Sequence, residues 1–303
     1  MKLAALDLGS NSFHLLVANV DSRRELRRLG SDKDVLRLGR IVQEHGVLTG
    51  EAFDAALKSV RRLSDRASEL GAEHLCAVGT SALRDARNGS TFLTACQERL
   101  GVEVELLSGE TEGALVFAGA RSAFATDASR TLVADLGGGS LELACGERSS
   151  CEVTRSLPLG FLRLAGAFPV GAPGGAARLA RYVEAECQKV RFQIGRFDTL
   201  VLAGGTARAV GKLFVGHDVI PPDVWLTLCT TLSMMTPEEL KAIGVARDRV
   251  DTLSAGAAVL AGLLAAFGNR DVRLSPHGLR EGVLLREIDR RAPVTYDADL
   301  ATA

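Results

Sequence analysis

The hexapeptide Asp7-Leu8-Gly9-Ser10-Asn11-Ser12 returns 128 residues later as Asp135-Leu136-Gly137-Gly138-Gly139-Ser140, keeping Asp, Leu, Gly and the final Ser in place. Each copy follows an apolar run that reads as a strand (residues 3–7 and 131–135) and precedes another (13–20 and 141–145). Glycine tolerates φ > 0 and asparagine often does, so each copy is a tight turn between two strands. The interval between copies is about the size of one domain. The chain is thereby constrained to two similar halves, each opening strand–turn–strand, with the two turns facing one another across a cleft. The boundary falls near residues 124–129, where the apolar pattern lapses, giving domains 1–126 and 127–303, with the last helix expected to pack back on the first domain.

The remaining pattern alternates helices and strands. Residues 50–70 carry Phe53, Leu57, Val60, Leu63, Ala67 and Leu70 along one helical face, with Thr49 as N-cap, Leu48 as a staple against Phe53, and Gly71 as terminator. Strand 74–78 leads through Gly79-Thr80-Ser81 to a helix or loop bearing Arg84. Helix 90–100, closed by Gly101, is followed by strand 102–107 and by a helix opening at Ser108-Gly109-Glu110-Thr111-Glu112. Further elements are expected at 176–194 (helix), 199–202 (strand), 236–239 (a helix start with Pro237 in its first turn), 251–267 (helix), 272–274 (strand) and 279–289 (helix). The fold class is α/β, with hairpins mixed into a largely parallel sheet and two similar domains about a cleft. Residues 23–28 read as a solvated hairpin.

Composition narrows the function. With 36 basic and 37 acidic residues the formal charge is −1, unlike the positive excess of a dedicated nucleic-acid binder, though a local positive cleft remains compatible with it. The six cysteines, Cys76, Cys96, Cys145, Cys151, Cys187 and Cys229, form no CxxC pair and sit mostly among apolar neighbours, which points to buried free thiols in a reducing compartment. Five histidines without paired spacing argue against a histidine-based metal site. Asp7 interrupts the N-terminal apolar run too early for a signal peptide or membrane span, so a cytoplasmic protein without membrane contact is expected.

Two facing Gly-rich turns suit a chain of phosphates. Consecutive backbone N–H groups of Gly9, Ser10, Asn11, Ser12 and of Gly137, Gly138, Gly139, Ser140 can form anion-binding concavities, with hydroxyls and an amide adding donors. Gly204-Gly205-Thr206, at the end of a buried-looking strand, is a third such turn, or an ordinary helix entry capped by Thr. Asp7 and Asp135 stand where a hard divalent cation could bridge carboxylate and phosphate, and Glu142 could join that shell or be merely solvated. Glu112 is the sharpest acid–base candidate, although Glu110 and Glu112 also suit a helix N-terminus through its dipole. Arg84 can grip phosphate through its planar fork or form a plain ion pair, and His277 reads as structural.

At these residues the chain resembles the exopolyphosphatase and guanosine pentaphosphate phosphohydrolase family. The matching segments are residues 7–14, Gly79-Thr80 with Arg84, Ser108-Gly109 with Glu112, residues 135–140 with Glu142, Gly204-Gly205-Thr206, and Gly278-Leu279-Arg280-Glu281-Gly282. The resemblance implies the two-domain fold shared with actin, sugar kinases and heat-shock chaperone ATPases. It implies Mg²⁺-dependent (or Mn²⁺-dependent) removal of the terminal phosphate from inorganic polyphosphate or guanosine pentaphosphate. It assigns Glu112 as the water-activating base, Asp135 and Glu142 as metal- and water-ordering acids, and Arg84 as a phosphate-binding arginine. The chain departs from the family pattern at Thr111, where a second Glu is frequent, and at Leu141, where Thr is usual. Longer members carry a further helical region that holds long polyphosphate; a chain ending at Ala303 is expected to lack it and to favour shorter polymers or nucleotides. A homodimer is the expected assembly. A guanosine pentaphosphate hydrolase, an ATP-binding kinase with Gly204-Gly205-Thr206 beside the adenine, and a non-catalytic polyphosphate sensor stand as alternatives on the same fold.

Overall fold

The structure, a computed structural model, describes residues 1–21, 23, 25–124, 128–213, 219–268 and 271–291. The expected domain boundary at 126/127 lies outside them. The first half runs β1 (Lys2–Leu8), β2 (Ser12–Val20), β3 (Leu26–Val35), α1 (Leu38–His45), α2 (Gly50–Glu69), β4 (His74–Gly79), α3 (Ser81–Asp85), α4 (Gly89–Leu100), β5 (Val104–Leu106) and α5 (Gly109–Ser122). The second opens with β6 (Arg130–Leu136), β7 (Leu141–Glu147), β8 (Ser150–Leu157), α6 (Phe161–Ala167), α7 (Gly175–Ile194), β9 (Thr199–Ala203) and α8 (Gly204–Gly211). It continues through β10 (Val219–Ile220), α9 (Pro222–Ser233), α10 (Pro237–Ala242), α11 (Val250–Phe267), β11 (Asp271–Leu274) and α12 (Leu279–Arg291).

The duplication read from two hexapeptides extends to topology. One sheet has the order β3-β2-β1-β4-β5 and the other β8-β7-β6-β9-β11-β10, the same arrangement with one added edge strand. In each, the first three strands form an antiparallel meander and the next two join in parallel. The sheets are therefore mixed rather than largely parallel, because β3 and β8 extend each opening hairpin and β10 joins β11 antiparallel. Neither strand was expected. In β3 the sequence LRRLGSDKDV is too charged to read as a strand, and it is held by pairing with β2 at the sheet edge. Helices α1, α6 and α9 also went unread; α1 and α6 have only 8 and 7 residues, too few to display a period.

Where periodicity is long, the elements fall as expected. In α2 the Thr49 side chain accepts a hydrogen bond from Ala52 N–H at 3.4 Å, and Leu57, Val60, Leu63 and Ala67 are buried. Ser108 caps α5 by accepting from Thr111 N–H at 3.1 Å. Thr236 and Glu239 form a reciprocal capping box at α10. Helix α11 is apolar all round because it is buried on nearly every side, not because it spans a bilayer. Cys96, Cys145, Cys187 and Cys229 are buried free thiols, whereas Cys76 and Cys151 are only partly buried.

Side chains alternate across β1, so Ala4, Leu6 and Leu8 face the α2 side while Leu3 and Ala5 face a third core shared by both sheets. Helices α5 and α12 fill that core. Each packs on the other, α5 against β7 and β8, and α12 against β1 and β2. Two glycines allow the crossing. A Cβ at Gly282 would lie 1.9 Å from the Leu115 carbonyl oxygen, and one at Gly119 would lie 2.0 Å from that of Gly278. Helix α12 thus packs on strands of the first half, and the exchange delivers the N-termini of α5 and α12 to the line between the sheets.

Candidate active site

The two hairpin turns meet. A Cβ at Gly138 would lie 3.2 Å from Asn11 N, and one at Gly139 would lie 2.7 Å from Ser10 Oγ, so the second turn sits in contact with the first. Register is the same in both hairpins: Asp7 pairs with His14 and Leu8 with Phe13, as Asp135 pairs with Glu142 and Leu136 with Leu141. The turn carbonyls are engaged from behind. Ser10 O accepts from Gly39 N–H, and Asn11 O from Leu36 and Arg37 N–H. In the second turn the engaged carbonyls lie one residue earlier: Gly137 O accepts from Phe161 N–H, and Gly138 O from Leu162 and Arg163 N–H. Among the described residues, no acceptor is found for the amide N–H groups of Ser10, Asn11, Gly138 and Gly139. Backbone N–H groups without partners are costly unless solvent or an anion takes them, so the paired turns form an anion-binding concavity.

The cleft between the turns is lined by Asp7, Glu112, Asp135 and Glu142, together with Gly204, Gly205 and Thr206. Gly204 opens α8 at φ 85°, and a Cβ there would stand 2.1 Å from Asp135 Oδ1. Its lack of a side chain is what lets α8 begin against the Asp135 carboxylate. The third Gly turn is therefore the entry to a helix that borders the cleft. Ser12 and Ser140 line it from the hairpins.

Four carboxyl-bearing residues share this space, Glu112 and Glu142 buried, Asp7 and Asp135 half-buried. Burial, then the neighbouring Glu112 charge, raises Asp7 to about 7, against which Arg280 pulls down. Burial raises Glu112 to about 6, opposed by the Arg84 guanidinium, whose Nη1 lies 2.6 Å from Glu112 Oε2. Asp135 is raised by burial despite Arg208 and Arg280. Glu142 is pushed well above the ordinary range by burial and by Glu112, although Ser156 Oγ donates to it at 2.9 Å. Such crowding of acids is expensive without a cation or a shared proton.

Arg84 does not line the cleft. It donates to Glu112 and to the Leu107 carbonyl (2.9 Å), which makes it a support for Glu112 in this structure rather than a free phosphate clamp. The cations that do line the cleft are Arg208, Arg249 and Arg280. Sequence reading gave them no role, because isolated arginines carry no spacing signal; only Arg280 lay inside a quoted motif. Burial lowers Arg208 and Arg249, so each stands to gain from an anion. His14, the partner of Asp7 across the hairpin, is driven down to about 3 by burial and then by Arg280, Arg249, Lys33 and Arg208. It too was given no role, though it closes the matching segment 7–14 and the 128-residue offset that pairs Asp7 with Asp135 also pairs His14 with Glu142. His277 has the structural role expected of it, with Nδ1 2.9 Å from Ser122 Oγ.

A profile of the Ppx/GppA phosphatase family matches residues 16–291. The chain belongs to that family. Exopolyphosphatase 1 of Mycobacterium tuberculosis H37Rv is 32% identical over 97% of this chain and 90% of its own length. The guanosine-5'-triphosphate,3'-diphosphate pyrophosphatase of Vibrio vulnificus is 29% identical over 95% of this chain, which spans 61% of that relative. Among solved structures, the Aquifex aeolicus Ppx/GppA family member is 25% identical, with a TM-score of 0.81 over 96% of this chain and 99% of that one. The membership accounts for the two-half α/β architecture.

Proposed function

We propose that the protein is an exopolyphosphatase, a phosphoanhydride hydrolase that removes the terminal phosphate of inorganic polyphosphate. The observation that carries this reading is the meeting of two turns, their carbonyls tied back and their N–H groups unengaged, in one cleft with the Glu112 carboxylate. The N–H groups of Ser10, Asn11, Gly138 and Gly139 hold the terminal phosphoryl oxygens, and Arg208, Arg249 and Arg280 neutralise charge on neighbouring units. Water attacks the terminal phosphorus while Glu112 takes its proton; the bridging P–O bond breaks and the shortened chain leaves as the anion. Arg84 orients Glu112. At about 6, Glu112 is largely ionised at neutral pH and fit to accept that proton.

The residues also fit Mg²⁺. Asp7 Oδ1 and Asn11 Oδ1 are buried without a hydrogen-bond partner, and Asp7 and Asp135 line one cleft. Among the described residues, no three His, Cys, Asp or Glu side chains form a ready-made cage. That suits an ion held by one or two carboxylates together with phosphate oxygens and waters. Asp7 and Asp135 would hold it, with Glu142 beside them, and it would offset charge on the phosphoryl oxygens.

A second reading, hydrolysis of guanosine pentaphosphate, is favoured by the Vibrio relative and uses the same residues. Phosphate release from short polyphosphate, long polyphosphate, guanosine pentaphosphate and ATP, each with Mg²⁺, tests both. Turnover of polyphosphate supports the first, turnover of guanosine pentaphosphate alone the second, and turnover of neither removes both.

A further inference from the structure

Behind the paired turns lies a second chamber of about 100 Å³. Ser10, Ser81 and Gly139 line both it and the cleft. The partition between them is made of the Ser10 and Ser81 side chains packed on Gly139, where a Cβ would stand 2.7 Å from Ser10 Oγ and 2.3 Å from Ser81 Oγ, so rotation of two hydroxyl-bearing side chains would open it. The far walls are Val42 and Gln43 of α1, Ala82 and Asp85 of α3, and Arg163 of α6.

Arg163 commands this space. Its Nε donates to the Gly139 carbonyl at 2.8 Å, its Nη2 reaches Ser81 Oγ at 3.5 Å and pairs with Asp85, and its own carbonyl accepts from Gln43 Nε2 at 2.6 Å. Ser81 Oγ also donates to Asp85 Oδ2 at 3.3 Å. The Arg163 and Asp85 side chains are 34% and 42% exposed, so the chamber reaches solvent at the end away from the cleft. One guanidinium thus touches the phosphate turn on one side and faces water on the other, with a carboxylate occupying its fork.

We propose that the chamber is a transit site for inorganic orthophosphate, through which product leaves while the shortened polymer still fills the cleft. The inference rests on the exopolyphosphatase reading. Cleavage at the terminal unit frees orthophosphate at the turns, with the rest of the chain between it and the open side of the cleft. A polymer that stays bound for the next cut leaves the product no room to pass it. The planar guanidinium of Arg163 matches phosphate geometry, and the Asp85 carboxylate holds the fork until an anion displaces it. Ser10 and Ser81 supply hydroxyl donors along the partition.

The test obstructs the chamber without touching the cleft. Gln43→Trp covers its exposed rim and Val42→Phe fills it from the wall of α1; retention of fold is checked by circular dichroism and thermal melting. Phosphate release is then followed on tripolyphosphate and on long-chain polyphosphate, in steady state and in a single turnover. Either folded variant should lose about ten-fold in steady-state kcat on the long polymer, keep its single-turnover rate, and change less than about two-fold on tripolyphosphate, whose short remnant leaves by the cleft. Equal losses on both substrates, or no loss in two folded variants, would overturn the transit site while leaving the hydrolase reading intact. Wild-type protein inert on every polyphosphate would overturn the exopolyphosphatase reading, and the transit site with it.

Discussion

Glu112 sits in the first turn of α5, buried, with one oxygen against Arg84. Replacing it with Gln keeps the shape and an acceptor for Arg84 but removes the proton acceptor. Glu112→Gln should therefore lower phosphate release by roughly 10²- to 10⁴-fold with an unchanged circular dichroism spectrum. Because the base must be ionised, kcat/KM should rise with pH through about 6 and level off above it, and this limb should vanish in the variant. Asp7 supplies a second pH dependence, of stability. Its folded value of about 7 lies above its ordinary 3.8, so the metal-free folded chain keeps a proton that the unfolded chain releases. That contribution is complete below the unfolded value and is lost as pH rises towards and through 7. Linkage puts the loss on the order of 4 kcal/mol. Thermal melts in chelator should show a melting temperature falling over this interval, with Asp7→Asn flattening the fall. Mg²⁺ should restore stability at about pH 8 and do little at about pH 5, where Asp7 is protonated and binds no metal.

Elements were legible in proportion to the length of their periodic pattern and the clarity of their caps. Helices α2, α5, α7 and α11, and strands β1, β2, β4, β6 and β9, lie within a few residues of where the sequence places them. Edge strands β3 and β8 and the short helices α1 and α6 do not announce themselves, since their stability comes from neighbours rather than from an apolar face. Yet α1 and α6 are the pieces that tie back the turn carbonyls. At the α5–α12 crossing the constraint is backbone against backbone. Gly282→Ala or Gly119→Ala should cost about 1–3 kcal/mol or more in denaturant unfolding, because a carbonyl cannot retreat as a side chain can. Gly204→Ala combines a left-handed φ with a collision against Asp135, and should lose activity as well as stability.

Across the whole molecule, the halves are joined by the shared core and by ion pairs at the cleft rim. Lys33 pairs with Asp248, and Arg37 with Asp251 at 3.0 Å, on either side of the cleft residue Arg249. These pairs are solvent-exposed, so each is worth only about 0–1 kcal/mol. The double variant Asp248→Asn/Asp251→Asn should barely change the unfolding midpoint, yet should enlarge the radius of gyration measured by small-angle scattering as the halves part more freely. An unchanged radius would mean that the α5–α12 core and the contacts of Arg163 with Gln43 and Asp85 set the separation of the halves without these rim pairs.

The chain's own letters determined the duplication, the α/β class and the positions of both Gly-rich turns, because local backbone demands, such as glycine where side chains collide, leave a mark at short range. Tertiary structure alone decided that Arg84 supports Glu112, that three scattered arginines and His14 converge on the cleft, and that a second chamber lies behind the turns. Those facts depend on distances between residues far apart in sequence, and no spacing along a chain encodes a distance that only folding creates.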